Sequence, residues 1–142
     1  GFVSAQGDNT DIVGASLGNM KTKNTTNPLV RHEGGVPREK SACGWRDRLS
    51  SREDADLNPA AWVHAVDIDG AKLHFHKRAT ELYYVLEGSG VVLLDGIEHD
   101  VKKGSLVHIP PGVTHGALGQ MRVLVVGIPD IAEDDYFEAQ VS

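Results

Sequence analysis

His74-Phe75-His76 opens the stretch on which the reading of this chain turns; it runs through Glu81 and closes with Pro110-Pro111-Gly112-Val113-Thr114-His115. Side chains alternate between the faces of an extended strand, so His74 and His76 aim their imidazoles to one side and Phe75 to the other. Glu81 opens the next apolar segment across a short turn and presents its carboxylate beside them. His115 must arrive from a separate strand, after a Pro-Pro-Gly turn that fixes the backbone where it re-enters the sheet. Three imidazoles and one carboxylate are donors that a divalent first-row metal takes.

Outward from this stretch, the chain beyond Pro59 alternates short apolar segments with turn signals, the spacing of an all-β sandwich or barrel. Strands are predicted near 62–68, 72–77, 81–86, 91–94, 98–101, 106–109, 114–117 and 122–128. Asp69-Gly70, Glu87-Gly88, Asp95-Gly96, Lys103-Gly104 and Pro111-Gly112 are read as the turns between them. Asp95-Gly96 between two apolar runs is the strongest hairpin signal, because both residues tolerate the positive φ of a type I′ turn. Ahead of this region, residues 1–40 read as a loop-like arm, since Gly, Asn, Thr and Asp dominate its first 28 residues without a sustained period. In Cys43-Gly44-Trp45-Arg46-Asp47-Arg48-Leu49, Trp45, Asp47 and Leu49 share one strand face and Arg46 and Arg48 the other. The two arginines are read as the solvated face of an edge strand rather than as an anion site. Ser50-Ser51-Arg52-Glu53 has the form of a helix N-cap. The barrel is assigned to residues 41–130, and the acidic tail 131–142 is expected to hold one or two helical turns.

A chain of 142 residues suits one domain. With 40% hydrophobic and 24% charged residues the composition is globular. A net charge of -6 without any Lys/Arg run predicts neither a nucleic-acid groove nor an anionic-membrane patch. The single cysteine, Cys43, excludes an internal disulfide and a thiolate-rich zinc site. No apolar run approaches the ~20 residues of a membrane span. Val3-Ser4-Ala5 only loosely resembles a signal-peptidase site, so a soluble chain, cytoplasmic rather than exported, is the expectation.

The two histidine-bearing motifs resemble those of the cupin superfamily, in its small single-domain form. His74-Phe75-His76 is followed by four residues, Glu81, six residues and Gly88; Gly104 is followed by five residues, Pro110-Pro111-Gly112, two residues and His115. Two positions depart from the pattern. Gly70 precedes His74 by three residues where the pattern has five, and Gly119 stands where it has Asn. The resemblance implies a double-stranded β-helix, or jelly-roll barrel, with His74, His76, Glu81 and His115 as ligands of one divalent metal ion inside it. Fe, Zn, Ni and Mn all remain open. Four protein ligands on an octahedral ion leave two positions for water, dioxygen or substrate, which is a catalytic rather than a closed structural arrangement.

Parity from Glu81 puts Tyr83 and Val85 on the metal side, making Tyr83 the candidate proton donor or substrate hydrogen bond. His64 is a second candidate for lining the same cavity. His32 and His99 are expected to face solvent, and Trp62, Leu73, Phe75, Leu93 and Val107 to pack. Leu82, Tyr84 and Leu86, opposite the metal face, fit the homodimer common in this superfamily, with residues 38–50 as an exchanged edge strand. Two function classes follow: a metal-dependent dioxygenase, isomerase or lyase acting on a small oxygenated or carboxylate-bearing molecule, or a non-catalytic module that binds or senses a sugar or small acid.

Overall fold

Alternating apolar residues from Val63 to Ile128 build an all-β structure, and a computed structural model describes residues 28–57, 60–70, 72–129 and 131–139 of it. Residues 1–27 of the expected arm lie outside the described residues. The strands are β1 (Arg38–Ser41), β2 (Gly44–Ser50), β3 (Trp62–Ile68), β4 (His74–Phe75), β5 (Thr80–Leu94), β6 (Ile97–Lys102), β7 (Leu106–Ile109), β8 (His115–Ile128) and β9 (Phe137–Glu138). All their pairings are antiparallel.

β5 and β8 pair along almost their whole lengths, from Thr80↔Ile128 to Leu94↔His115, and join two layers. One layer runs β1-β2-β3-β8-β5-β7 through the Ile128 end of β8, and the other runs β9-β4-β8-β5-β6 through its His115 end. The curled sheet is the jelly-roll barrel expected from the sequence. Its interior is filled by inward residues of both layers, among them Val66, Tyr83, Val85, Val92, Ile109, Met121, Val123 and Val125.

Glu87-Gly88 is not a turn. The segments 81–86 and 91–94 are one continuous strand, as are 114–117 and 122–128, with a register shift between Val85 and Glu87 where the ribbon bends. Gly88 (φ 82°) lies opposite Met121, and Gly119 (φ 113°) opposite Gly90. A Cβ on Gly88 would sit 2.2 Å from the Gln120 carbonyl oxygen, and one on Gly119 would sit 2.8 Å from Gly90 Cα. The corner therefore needs glycine on both strands, which accounts for Gly119 in place of the motif's Asn. Asp95-Gly96 forms the expected turn, with φ of 48° and 82°. The predicted 72–77 strand shrinks to His74–Phe75, because from Lys77 onward the backbone turns away to bind Asp135.

β2 is not an edge, since β1 pairs along its outer side. Its outward residue Asp47 is 5% exposed, with its carboxylate 2.6 Å from Arg122 and 3.0 Å from Arg38. The same two arginines hold Asp67 on β3, at 2.8 and 2.6 Å. Burial works against the Asp47 charge, yet hydrogen bonds from Arg122 and Arg38 outweigh it and hold its pKa below the usual carboxylate value. The N-cap lies one residue later than predicted: the Asp54 carboxylate accepts from the Ser51 N–H at 3.0 Å, ahead of a 3-10 turn over Arg52–Leu57.

Candidate metal centre

Antiparallel pairing sets His74 directly opposite His115. The turn between the two motifs is tied to the first of them, because the Gly112 N–H donates to the His76 carbonyl at 2.7 Å. Glu81 enters from β5, and one donor atom from each of His74, His76, Glu81 and His115 lies within 4.8 Å of all the others. All four residues are buried.

The hydrogen bonds at the back of each ring decide what faces the centre. Nδ1 of His74 lies 2.7 Å from the Lys72 carbonyl, that of His76 2.6 Å from the Asp135 carbonyl, and that of His115 2.9 Å from the Val113 carbonyl. A carbonyl only accepts, so each Nδ1 carries its hydrogen and each Nε2 is left for the interior. Nε2 of His76 and of His115 stand 3.1 and 2.9 Å from the same Glu81 oxygen, Oε2. Neutral rings would turn lone pairs toward a carboxylate, acceptor against acceptor. Positive charge must therefore sit among them, either as protons on the rings or as a cation, and the donor set suits a divalent first-row ion.

The same contacts set the direction of each pKa shift. Burial alone would raise the Glu81 pKa, but hydrogen bonds with His115 and His76 carry it well below the usual carboxylate value. Burial alone would lower His76, and its bond to Glu81 lifts it above 6.5. For His74, burial is the largest influence and the pKa falls.

The acidic segment after Pro129 supplies groups that the sequence reading did not place at the site. It makes a single 3-10 turn over Glu133–Asp135. Asp135 is 1% exposed, and its carboxylate accepts the amide N–H groups of Lys77, Arg78 and Ala79 at 2.7 to 3.2 Å. Hydrogen bonds to a charged group contribute roughly 1.5–3 kcal/mol each. Three such donors outweigh the burial and keep the carboxyl ionised. Tyr136 then stacks on His74, with ring centroids 4.9 Å apart. The only sequence signal for this was an aromatic pair, Tyr136-Phe137, in an otherwise polar tail.

In front of the cluster lies a cavity of about 270 Å³ whose lining includes His74, His76, Glu81, Cys43, Arg46, Arg48, Trp62, His64 and Tyr136. Residues 65–127 match the Cupin domain family. That stretch carries the cupin domain match. It is 36% identical over 67 residues to an uncharacterised protein of Methanocaldococcus jannaschii, covering 44% of this chain and 54% of that protein. It is 29% identical over 86 residues to the dimethylsulfoniopropionate lyase DddW of Ruegeria pomeroyi, covering 60% of this chain and 56% of the lyase. The chain thus spans about half the length of these curated relatives. Among solved structures, the Streptomyces nucleoside dehydratase Pac13 superposes with a TM-score of 0.70 at 20% identity, over 80% of this chain and 92% of that one.

The cavity in front of the cluster contains one sequence candidate and not the other. His64 lines it and packs against Trp62 at a centroid separation of 4.2 Å. Tyr83 is 1% exposed and inward-facing as parity predicted, but it lies behind the cavity wall, edge-on to His115 at 6.2 Å, with its hydroxyl 3.8 Å from Cys43 Sγ. Burial, with Glu81 nearby, raises the Tyr83 pKa and keeps the phenol protonated. Arg46 and Arg48 are not solvated edge residues: β1 takes the edge, and the curl of the sheet turns their face into the cavity. Trp62, expected as packing, also lines it, whereas Phe75 packs outside the site against Phe137. His32 and His99 are exposed, as expected.

Burial, reinforced by Arg46, pushes the His64 pKa from 6.5 down to about 4. The neutral ring's contribution to stability is complete above pH 6.5 and drains away as pH falls toward 4, because the unfolded chain takes up a proton that the folded one refuses. Urea unfolding as a function of pH should show a loss of up to about 3 kcal/mol across that window. The loss should shrink in His64→Gln; an unchanged pH slope in that variant would show that His64 is not a source of it.

Proposed function

We propose that this protein is a metal-dependent enzyme acting on a small oxygenated or carboxylate-bearing molecule. The observation that carries the reading is the orientation of the three imidazoles, whose Nε2 atoms are left to converge with Glu81 at the wall of a cavity of about 270 Å³. His74, His76, Glu81 and His115 would hold one divalent transition ion, with Fe, Zn, Ni and Mn as candidates. Such an ion supplies Lewis acidity, drawing charge from a substrate oxygen so that an adjacent bond breaks more easily. The cavity lies at the small end of ligand sites, which run to roughly 300–1,000 Å³, so it suits a molecule of few carbons. His64 is the side chain we assign to substrate contact. Tyr83 supports the wall behind His115. Of the dioxygenase, isomerase and lyase chemistries open to this donor set, we favour lyase chemistry, in keeping with the names lyase and dehydratase borne by DddW and Pac13.

Leu82, Tyr84 and Leu86 project away from the metal, Tyr84 is 45% exposed, and we propose that this outer face pairs two copies of the chain. Exchange of residues 38–50 is not required for the sheet, since β2 pairs with β3 of its own chain.

His76→Ala and His115→Ala should each abolish stoichiometric metal by elemental analysis, and undiminished metal content would sink the ligand assignment. Metal-loaded protein given small hydroxy acids should form an unsaturated product without consuming oxygen. Substrate-dependent oxygen uptake would indicate a dioxygenase instead, and tight binding without turnover a binding module. Light scattering should give twice the chain mass of 15.3 kDa; a monomer mass would refute the pairing.

A further inference from the structure

The cavity wall opposite the histidines carries a polar set of its own. Arg46 and Arg48 on β2 share the inner face with His64 on β3, where Arg48 pairs across from His64 and Arg46 across from Val66. Trp62, Val66 and Val125 line the cavity beside them, and Ser51, Arg52, Glu53 and Glu133 line it as well.

Both guanidinium groups are held from the rim. Arg46 Nε and Nη2 lie 3.0 and 2.8 Å from Glu39 Oε1, and Arg48 Nη1 and Nη2 each lie 3.0 Å from a Glu53 oxygen. A guanidinium has five N–H donors, and these contacts fix its plane while engaging only part of the fork. The Glu53 side chain is 66% exposed and screened by water, whereas that of Arg48 is 22% exposed. Arg48 therefore keeps more of its field inside the cavity than Glu53 does, whereas Arg46 and Glu39 are matched at 32% and 35% exposed.

His64 is 3% exposed, and neither of its ring nitrogens has a hydrogen-bond partner among the described residues. A neutral imidazole has one N–H to give and one lone pair to fill, and leaving both unmet in a buried wall is costly. The nitrogen that faces the cavity can be met by a ligand oxygen.

We infer that Arg46, Arg48 and His64 form a carboxylate-binding subsite for a small hydroxy acid, facing the His-Glu cluster across the same cavity. The acid's carboxylate accepts from arginine N–H groups and from one imidazole N–H, which leaves its hydroxyl toward the His-Glu cluster. This rests on the reading of the cavity as the substrate site, and it supplies the substrate class that the metal ligands leave open. The charged groups acting on His64 are Arg46 and Arg48 on β2, Glu39 on β1 and Glu81 on β5. An anion bound beside the arginines offsets their repulsion of a proton, so its arrival raises the His64 pKa.

The test uses the full chain stripped of metal, with lactate and 3-hydroxybutyrate as probes and lactamide as a neutral isostere of lactate. Binding is followed by the NMR signal of the His64 ring. At least one of the two acids should bind at least tenfold more tightly than lactamide and shift the His64 titration midpoint upward. Arg46→Gln and Arg48→Gln should each weaken its binding at least tenfold, with Arg46→Lys weakened less. The inference is overturned if neither acid binds, if lactamide binds as well as the acids, or if the Gln variants keep a native circular dichroism spectrum and full affinity. Should the Gln variants fail to fold, the comparison of acid with amide in the unaltered chain decides. A chain that binds the acid at His64 but takes up no metal sinks the metal reading alone. A chain that takes up metal but treats acid and amide alike sinks the subsite alone.

Discussion

Three imidazole N–H groups donated to main-chain carbonyls hold the centre of this molecule in order. Without them each histidine would be free to choose which nitrogen to protonate and where to aim its ring. With them, Lys72, Val113 and Asp135 dictate the choice through backbone atoms, which move only if a strand or turn moves. The pairing of His74 with His115 and the bond from Gly112 to the His76 carbonyl bring those carbonyls into place. The Asp135 carboxylate, gripping the amides of Lys77, Arg78 and Ala79, locks the loop that leads from the histidines to Glu81. A donor set assembled this way needs little reorganisation to receive a cation.

The barrel was legible because its signals are local. Alternation from Val63 onward gave strands, and the positive-φ pair Asp95-Gly96 gave a hairpin. Glycine misled where it serves a bend instead of a reversal: Gly88 and Gly119 let β5 and β8 pass through a corner while staying paired, and no window of a few residues separates that from a turn. The four candidate metal ligands were legible from strand parity at His74 and His76 together with the resemblance of both motifs to those of cupins. Arg46 and Arg48 were misplaced because strand parity says which residues share a face but not whether that face is concave. Curvature comes from the whole sheet. Asp135 was invisible for a related reason: in an acidic tail it looks like any other carboxylate, and only the loop folded against it, more than 50 residues earlier in the chain, distinguishes it.

The two walls of the cavity have different origins in the chain. The His-Glu wall is built from β4, β5 and β8 and is closed by the segment after Pro129; the arginine wall is built from β2 and β3. They meet through Val125 and its neighbours on β8, which are apolar and carry no charge between them.

The outer face of β2 adds to this separation. Asp47 is clamped by Arg38 and Arg122 on the outside of the barrel, and in a strand a residue held on one face fixes the aim of its neighbours on the other. Arg46 and Arg48 inherit their direction from that external clamp, with no bond to the His-Glu cluster. The two walls are thus aimed by separate constraints. A change on the inner face of β2 or β3 alters the arginine wall while His74, Glu81 and His115 stay on strands β4, β5 and β8.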